Sequence, residues 1–411
     1  MSERRQDPER YKKTELGKIP DEWKVVKIGE IAQVNMGQSP SSSTYNDNGE
    51  GLPFFQGNAD FGSLFPQIRL YTSNPIKRAY PNEILMSVRA PVGALNYCNV
   101  ECCIGRGLCS LKMIKGNNNF LFYLLKLKNK DLNSVSTGST FTSINKQALN
   151  DLKITIPPLS EQYKIASILS KVDEQIEQTE QIVERTEILK KGLMQKLLTK
   201  GIGHTKFKKT ELGEIPEEWE CKKLSEISKT YSGGTPLKSK AEYFGGDIPW
   251  VKSGELNKGL IFTTEECISE QGLNNSSAKW VTENSILIAM YGATAGKVGL
   301  LKIRATINQA ILAVIPKVET HYLFLYYSMH YLMPNIVKTQ TQGSGQPNLN
   351  AEIIKNNYIP LPSFPEQQKI ASILSKVDSQ IQDNQSYLTR LRELKKGLMQ
   401  DLLTGKVRVC A

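Results

Sequence analysis

The clearest hydrophobic pattern in the chain lies in two long segments, 161–199 and 366–404. In each segment the seam positions recur in alternating steps of four and three residues, which is the spacing of a coiled coil. The pattern predicts two packed helices, each roughly 58 Å long at ~1.5 Å per residue. Ser363 and Glu366 form a capping-box sequence before the second helix. The seam positions are Ile165, Leu169, Val172, Ile176, Thr179, Val183, Thr186, Lys190, Leu193 and Leu197, and then Ile370, Leu374, Val377, Ile381, Asn384, Leu388, Leu391, Lys395, Leu398 and Leu402.

Shorter apolar runs lie outside these helices and predict α/β domains. Segments 84–95 and 286–301 are typical of buried strands interrupted by Gly and Pro. Segments 119–133 and 319–336 carry apolar residues at helical spacing. Loops rich in Gly, Ser, Asn and Thr connect these elements, as at 37–51.

The two halves of the chain repeat one another. Trp23 matches Trp219 at an offset of 196 residues and Glu161 matches Glu366 at an offset of 205, so the copies differ by nine net inserted residues. We therefore expect both halves to share one fold. A tandem duplication gives one chain near-two-fold symmetry, and duplex DNA is a ligand with matching symmetry. The repeated segments are 11–31 with 207–227, 161–173 with 366–378, and 190–199 with 395–404, whereas the middle parts, about 35–155 and 231–358, have diverged.

The ends of the two copies predict where the chain termini lie. Segment 197–213 leads from the first helix into the second copy, whereas segment 402–409 follows the second helix and simply ends. For the second helix end to have an equivalent neighbour, 11–17 must lie beside it. The sequence therefore predicts adjacent termini and a closed arrangement.

Polar and glycine residues interrupt the helical pattern at equivalent positions. Thr179 and Asn384 place a polar group in the seam, where a buried polar pair can fix helix register, although tolerance at a solvated seam is the alternative. Gly192 and Gly397 lie within helical sequence, where glycine costs about 1 kcal/mol relative to alanine. Close approach of crossing helices would account for them, and a local break in each helix is the other interpretation. The candidate helix-packing residues are Ile165, Leu169, Val172, Ile176, Gly192, Ile370, Leu374, Val377, Ile381 and Gly397.

Composition favours a polyanionic partner and a reducing compartment. The 411 residues carry a net charge of +11 at a pI of about 9.1, although a merely soluble basic protein would have the same balance. The chain has no apolar run of membrane-spanning length and its N-terminus has no apolar signal region, so we expect a cytoplasmic protein. The odd number of cysteines is typical of reduced thiols, and we expect core positions for Cys98, Cys102, Cys103 and Cys109 and no metal site among them. The cysteines are Cys98, Cys102, Cys103, Cys109, Cys221, Cys267 and Cys410.

The segments that resemble catalytic or metal-binding motifs do not have the residue spacing that those motifs require. Segment 292–297 (GATAGK) has three residues between its glycines, where a phosphate-binding loop needs four, and Val298 follows the lysine in place of Ser or Thr. Segment 20–24 (PDEWK) places its carboxylates and lysine in one turn, and the second copy lacks the lysine. We interpret it as a helix-entry turn anchored by Trp23 and, in the second copy, Trp219. His204, His321 and His330 have no zinc-site spacing. The sequence predicts no catalytic residues and a protein that is not an enzyme.

Matching polar segments lie between the apolar strands of both copies and predict a recognition surface. Arg89 or Arg106 could pair with guanine, and Gln309 or Gln346 with adenine, whereas ordinary turns would show the same Gly, Ser and Pro. The matching segments are 35–43 with 231–239, 87–93 with 289–296, 104–107 with 307–310, and 137–145 with 342–350. The candidate DNA-binding residues are Gln38, Ser39, Arg89, Arg106, Ser139, Thr140, Thr235, Lys252, Tyr291, Thr294, Lys297, Gln309, Ser344 and Gln346, with Lys252 and Lys297 as phosphate contacts.

The order of these motifs resembles the specificity subunit of Type I restriction-modification enzymes. The motifs are KKTELG followed by IP and EW, then PPLSEQ or PSFPEQQ, KIASILSKVD, and KKGLMQ followed by LLT, and the resemblance covers 11–409. It implies an α/β fold in which two target-recognition domains are separated by paired antiparallel helices with pseudo-two-fold symmetry. The implied domains are 1–156 (first recognition domain), 157–200 (first spacer helix), 201–361 (linker and second recognition domain) and 362–411 (second spacer helix and tail).

The resemblance also implies function and partners. Each recognition domain would bind one half of a bipartite asymmetric DNA target, and the helices would set the spacer and dock two methyltransferase subunits. Those subunits would carry S-adenosylmethionine, and the restriction and translocase subunits would carry ATP and Mg²⁺, so this chain would hold no cofactor. A stand-alone DNA-binding regulator and a coiled-coil scaffold that does not bind DNA are the alternatives.

Overall fold

The chain forms two compact units in a computed structural model that describes residues 11–129, 143–340 and 348–409. The first unit combines the chain up to Glu180 with the chain from Ser386 onward, and the second is Gln181–Gln385. Each unit therefore contains one diverged middle part and one half of each long helix. This division cuts through both long helices, whereas the sequence analysis assigned each helix to a segment of its own. The reason is packing, because each helix half shares a hydrophobic core with the middle part of its unit.

The first unit is built from small β-ladders, two larger sheets and helices. A four-stranded antiparallel sheet has the order β10-β9-β12-β4, and a five-stranded mixed sheet has the order β5-β7-β6-β11-β8. In the mixed sheet β11 runs parallel to β6 and antiparallel to β8. Two further ladders pair β1 with β2 and β3 with β13. The strands are β1 (Tyr11–Thr14), β2 (Gly17–Pro20), β3 (Lys24–Lys27), β4 (Ala32–Met36), β5 (Tyr45–Asn46), β6 (Leu52–Phe55), β7 (Tyr71–Thr72), β8 (Arg78–Ala79), β9 (Ile84–Ser87), β10 (Leu95–Tyr97), β11 (Cys102–Ile104), β12 (Leu108–Met113) and β13 (Lys153–Ile156), and the helices are α1 (Ile28–Ile31), α2 (Asn118–Leu127), α3 (Lys146–Asp151) and the first half of α4 (Leu159–Thr199).

The second unit repeats these pairings. Its larger sheets have the orders β17-β25-β22-β23-β19 and β20-β18-β24-β21, and its ladders pair β14 with β15 and β16 with β26. Here β24 runs parallel to β18 and antiparallel to β21, as β11 does with β6 and β8. The strands are β14 (Phe207–Thr210), β15 (Gly213–Pro216), β16 (Glu220–Lys223), β17 (Ser228–Ser232), β18 (Phe244–Val251), β19 (Leu260–Ile261), β20 (Glu266–Ile268), β21 (Trp280–Val281), β22 (Ile286–Ala289), β23 (Val298–Leu301), β24 (Ala305–Ile307), β25 (Ile311–Pro316) and β26 (Tyr358–Leu361), and the helices are α5 (Leu224–Ile227), α6 (Glu270–Asn274), α7 (Tyr322–Gln340), α8 (Ala351–Asn356) and α9 (Phe364–Leu402), of which the first half belongs to this unit.

Equivalent buried strands confirm that both copies share one α/β fold. Every residue of β9 and of β22 is buried, which fits their continuous apolar sequences. Each strand follows an asparagine in the left-handed region, Asn82 at a φ of 71° and Asn284 at a φ of 65°. Asparagine tolerates this region better than most residues, so the same turn leads into both strands.

The predicted long helices and their seam are confirmed. In the first unit, Ile165 and Leu169 are fully buried in the core that also contains Trp23. In the second unit, Ile370 and Leu374 have the equivalent positions beside Trp219. Val172, Ile176 and Val377 are half-buried, and Ile381 is buried.

The interpretation of the two helix glycines is wrong. Gly192 and Gly397 are exposed, and apart from the adjacent backbone of its own helix no described heavy atom lies within 4 Å of a Cβ built at either residue. Both helices also run through these positions without a break. Neither close helix approach nor a local break accounts for the glycines, and we assign them no packing role.

Charged seam residues, rather than the predicted polar pair, join the helix halves. Thr179 Oγ1 donates to the Gln175 carbonyl at 2.6 Å, and Asn384 Nδ2 donates to the Gln380 carbonyl at 2.9 Å, so each bonds within its own helix. In the first unit, Lys395 is paired with Asp173, which accepts from Tyr123 Oη at 2.8 Å. In the second unit Lys190, Asp378 and Tyr327 repeat this triad, with Lys190 Nζ 2.5 Å from Asp378 and Tyr327 Oη 2.7 Å from it.

A tryptophan–glutamate pair anchors the start of each long helix. Trp23 Nε1 donates to Glu161 at 3.0 Å in the first unit, and Trp219 Nε1 donates to Glu366 at 3.1 Å in the second. The carboxylate of Glu366, predicted to close a capping box, accepts this bond and lies 3.0 Å from His204. The tryptophan turn leads into strands β3 and β16, so the prediction of a helix-entry turn is wrong.

The predicted adjacent termini are confirmed within the first unit. Tyr11 Oη donates to the Gly405 carbonyl at 3.2 Å. Arg408, near the C-terminal end, donates to Glu161 at 2.8 and 3.0 Å and to Glu22 at 2.8 Å. The end of α9 therefore packs beside the N-terminal ladder, as the end of α4 packs beside β14 and β15 in the second unit.

Candidate nucleic-acid interface

A tight turn at 104–107 brings several predicted site residues of the first unit together; we call it the first tip turn. Its backbone is fixed by hydrogen bonds to three neighbouring segments: Gly105 N donates to the Phe55 carbonyl at 2.8 Å, Gln38 N to the Ile104 carbonyl at 2.9 Å, and Val88 N to the Gly107 carbonyl at 2.9 Å. These bonds place the loops after β4, β6 and β9 around the turn.

The second unit contains the same construction at 307–310, the second tip turn. Asn308 N donates to the Val251 carbonyl at 3.0 Å, Gly234 N to the Ile307 carbonyl at 2.9 Å, and Met290 N to the Ala310 carbonyl at 2.8 Å. Each bond has its counterpart in the first unit. The polar segments that match in sequence therefore also meet in space, once in each unit.

Glycine is required where the neighbouring loop crosses the turn. A Cβ at Gly37 would lie 2.2 Å from the Gly105 carbonyl oxygen, and a Cβ at Gly233 would lie 2.1 Å from the Ile307 carbonyl oxygen. Real Cβ atoms do not approach backbone oxygens so closely. The backbone of the turn is therefore closely enclosed, while the side chain at its tip is exposed.

Polar side chains of the first unit surround the first tip turn. Arg106 is exposed at the tip, and its backbone N donates to Ser39 Oγ at 3.2 Å. Gln38 is also exposed. Arg89 is exposed one residue after Val88 and forms an isolated β-bridge with Ser143. These predicted residues thus lie around one surface.

The corresponding residues of the second unit share this arrangement. Gln309 is exposed at the tip, and Thr235 Oγ1 donates to its Oε1. Tyr291 is 41% exposed and bridges to Asn348, as Arg89 does to Ser143. Thr294 Oγ1 donates to the Tyr291 carbonyl at 3.4 Å. Lys297, at the end of this loop, is exposed, and its backbone N donates to the Thr294 carbonyl.

Lys252, one of the two predicted phosphate contacts, is paired with two carboxylates in the structure. Its Nζ lies 2.7 Å from Glu266 and 3.7 Å from Glu265. The hydrogen bond to Glu266 raises the pKa of Lys252, against a smaller opposing effect of burial. The local charge is therefore neutralised, and the sequence could not indicate this because the carboxylates lie on β20 and the turn before it.

Ser139, Thr140, Ser344 and Gln346 lie outside the described residues. Sequence reasoning missed Gln56, which is exposed directly after β6 and has the position that Lys252 has after β18. An alignment of β6 with β18 would have identified Gln56, because each of these strands pairs in parallel with the strand that enters a tip turn.

The described residues also include chemical groups outside the predicted site. A groove of about 1070 Å³ in the first unit is lined by α2, α4 and α9, including Tyr123 and Lys126. Burial and the nearby Lys395 lower the pKa of Lys126. Cys98 and Cys102 are buried, with their sulfur atoms 3.5 Å apart. Within the described ranges, no group of three or more His, Cys, Asp or Glu residues could hold a metal ion, and no helix there has the length and apolarity to cross a membrane.

Comparison with known proteins identifies similar chains. A family described as Type I restriction modification DNA specificity domain matches residues 20–187 and 216–391. The putative type I restriction enzyme MjaX specificity subunit of Methanocaldococcus jannaschii is 44% identical over 193 residues, which span 46% of this chain and only 45% of that relative. The type I restriction enzyme MjaIX specificity subunit of the same organism is 29% identical over 97% of this chain and 96% of its own length.

Solved structures show a similar fold. The Type I restriction-modification system S subunit from M. genitalium has a TM-score of 0.63 at 19% identity, covering 93% of this chain and 96% of that one. At this identity the likeness shows the fold alone.

Proposed function

Because the chain belongs to the Type I restriction modification DNA specificity family, we propose that it is the DNA sequence-recognition subunit of a Type I restriction-modification complex. Each unit recognises one half of a bipartite, asymmetric DNA target. The observation that carries this proposal is the pair of tip turns. Their backbones are held by the same hydrogen bonds in both units, while the side chains around them differ.

Differences between the two surfaces favour an asymmetric target. The first presents Arg89 and Arg106, and the second presents Tyr291 and Gln309 at the equivalent positions. Identical readers on a duplicated frame would match a palindrome, whereas unlike readers match unlike half-sites. The basic net charge of +11 supports contact with phosphates, which adds affinity without sequence information.

The long helices offer two equivalent surfaces for partner subunits. Ile182 and Leu189 are 48% and 55% exposed on α4, and Tyr387 and Leu394 are 44% and 51% exposed on α9, each at an offset of 205 residues. Exposed apolar residues seven apart form a stripe that a partner helix can cover. We propose that each stripe docks one methyltransferase subunit, so that two such subunits assemble with this chain.

In this proposal the chain itself carries out no chemistry. S-adenosylmethionine belongs to the methyltransferase subunits, and ATP and Mg²⁺ belong to the restriction and translocase subunits. The helices α4 and α9 set the unread spacer between the half-sites. Insertion of one helical turn in both helices is then expected to lengthen the spacer and to leave both half-site sequences unchanged.

Methylation mapping of a host that expresses the complete complex tests the function. We expect one bipartite sequence to be methylated, and replacement of residues 35–155 by another insert is expected to change one half-site alone. A change in both half-sites would contradict the assignment of one half-site to each unit. A chain that binds duplex DNA but never co-purifies with methyltransferase subunits would instead be a stand-alone regulator. A chain without salt-dependent DNA binding would be a scaffold.

The docking proposal has its own test. Leu189→Glu places a carboxylate in one apolar stripe and is expected to reduce the methyltransferase subunits recovered from two to one. Lys191→Glu is a matched control, because Lys191 is exposed on the same helix outside the stripe. Equal recovery with both variants would contradict the docking surface.

A further inference from the structure

We propose that the tips of the two turns, Arg106 and Gln309, are the residues that determine one base pair in each half-site. Arg106 selects guanine in the half-site of the first unit, and Gln309 selects adenine in the half-site of the second. This inference rests on the proposed function and deepens it, because it names the bases that the two equivalent turns recognise.

The two tip turns have equivalent backbones and differ in the side chain at the tip. In the first turn Arg106 is exposed between Gly105 and the half-buried Gly107, and in the second Gln309 is exposed between residues that are half-buried. The enclosing backbone bonds are equivalent in the two units. A fixed backbone that presents a different polar side chain is what a base-reading position requires, because pre-organisation lowers the entropic cost of a precise contact.

Both tip residues are of the type that makes two hydrogen bonds to one base. Arginine donates to the O6 and N7 atoms of guanine, and glutamine accepts from N6 and donates to N7 of adenine. Arg89 and Tyr291 form the other equivalent pair, and tyrosine does not make such a bidentate contact. We therefore assign base recognition to Arg106 and Gln309, and a supporting contact with the DNA to Arg89 and Tyr291.

A hydroxyl group beside each tip positions the reader. Ser39 and Thr235 have equivalent positions after β4 and β17. Ser39 Oγ accepts from the backbone N of Arg106 and so leaves every guanidinium donor available. Thr235 Oγ1 donates to Oε1 of Gln309, which orients the amide and leaves one acceptor lone pair and both Nε2 hydrogens for a base. Thr235 is thus a positioning residue.

The test is a reciprocal exchange in the intact complex with its methyltransferase subunits. Each variant is mapped for methylated sites and assayed against duplexes in which every target position is replaced in turn. We expect Arg106→Gln to change the preferred base pair at one position of one half-site from G·C to A·T. Gln309→Arg is expected to make the opposite change in the other half-site. A good bidentate contact discriminates by about 5- to 150-fold, and the preference is expected to shift by a factor in this range.

A matched control separates charge from base reading. Arg78 is exposed in the same unit, on β8 opposite Cys103, and its guanidinium is already paired with Glu101 at 3.0 Å, so Arg78→Gln should leave both half-sites unchanged. Arg106→Lys retains the charge without the planar pair of donors, and we expect it to bind DNA while losing preference at the same position. For positioning, Thr235→Val should weaken adenine preference and Thr235→Ser should restore it.

The outcomes distinguish the inference from the proposed function. An Arg106→Gln complex that methylates the original sequence with undiminished preference would overturn the inference, as would changes in both half-sites. If the Gln variant does not fold, an Arg106→Ala variant that is folded and retains full guanine preference would overturn it as well. A wild-type complex without any sequence-specific methylation would instead refute the proposed function.

Discussion

Arg408 offers the sharpest test of how the chain termini stabilise the first unit. Its guanidinium donates two hydrogen bonds to Glu161, whose side chain is only 3% exposed, and a third to Glu22. Glu161 also accepts from Trp23 Nε1. These hydrogen bonds, first of all those to Glu161, raise the pKa of Arg408, so its guanidinium stays charged throughout the accessible pH range. Arg408→Met would leave a buried carboxylate with one neutral donor.

The size of the effect follows from burial. Removing one partner of a buried ion pair costs about 3–5 kcal/mol. The Arg408 side chain is 23% exposed, so water can partly replace it and the lower end of that range applies. A loss of about 3 kcal/mol corresponds to an increase of roughly 150-fold in the equilibrium constant for local opening.

Hydrogen exchange of the full chain measures this opening directly. We expect amides of β2 and β3 to exchange faster by about two orders of magnitude in Arg408→Met, with β15 and β16 unchanged. The control is Lys406→Met, because Lys406 is 74% exposed and its pairing with Asp401 contributes little. Adding Glu161→Gln to Arg408→Met should recover most of the loss, since no unpaired buried charge remains. Equal exchange in the Arg408 and Lys406 variants would refute this reasoning.

Three further predictions follow from the helices and the core. Gly192→Ala should raise the thermal stability of the chain by about 1 kcal/mol, because the added methyl group meets open space, and a fall in stability would contradict the absence of close packing. Asp173→Asn leaves the cation of Lys395 without its carboxylate, so we expect amide exchange in α2 to become at least about tenfold faster. Adding Lys395→Met should restore the slow exchange, and a double variant without this recovery would argue against an ionic cause. Burial raises the pKa of Cys109 to about 12, so the thiolate is scarce near pH 8 and maleimide should label this residue only after unfolding; rapid labelling of the folded chain would refute its burial.

The frame of the protein could be predicted because its signals are local or repeated. The spacing of Ile165 and Leu169 alone determines which face of α4 is buried, and the second copy repeats it at Ile370 and Leu374. The adjacent termini could also be predicted from the sequence. In the first copy the chain runs on from the long helix into the next repeated segment. In the second copy the equivalent segments are the two ends of the chain, so these ends must lie side by side. By contrast, a glycine in a helical pattern does not reveal what faces it, and Gly192 was misinterpreted for that reason.

Partners distant in sequence could not be predicted. Trp23 and Glu161 are 138 residues apart, and both were recognisable as repeated residues without any indication that they meet. The pairing of Lys252 with Glu266 depends on the antiparallel register of β18 with β20, which no periodicity in either strand specifies. The positive charge of Lys252 alone suggested a phosphate contact, and in the folded chain Glu266 neutralises that charge.

The candidate site could be predicted from the sequence in part, and the reason is how the backbone of each tip turn is fixed. The hydrogen bonds that fix the turns are made by backbone atoms, which any residue except proline supplies, so sequence identity between the inserts can fall while the turn persists. The positions where identity matters are the crossing glycines, Gly37 and Gly233, because any side chain there would collide with a carbonyl oxygen. Such a turn tolerates exchange at its tip without loss of stability, since Arg106 and Gln309 contribute nothing to the core. A duplicated frame of this kind can therefore acquire two unlike specificities by substitution at exposed positions.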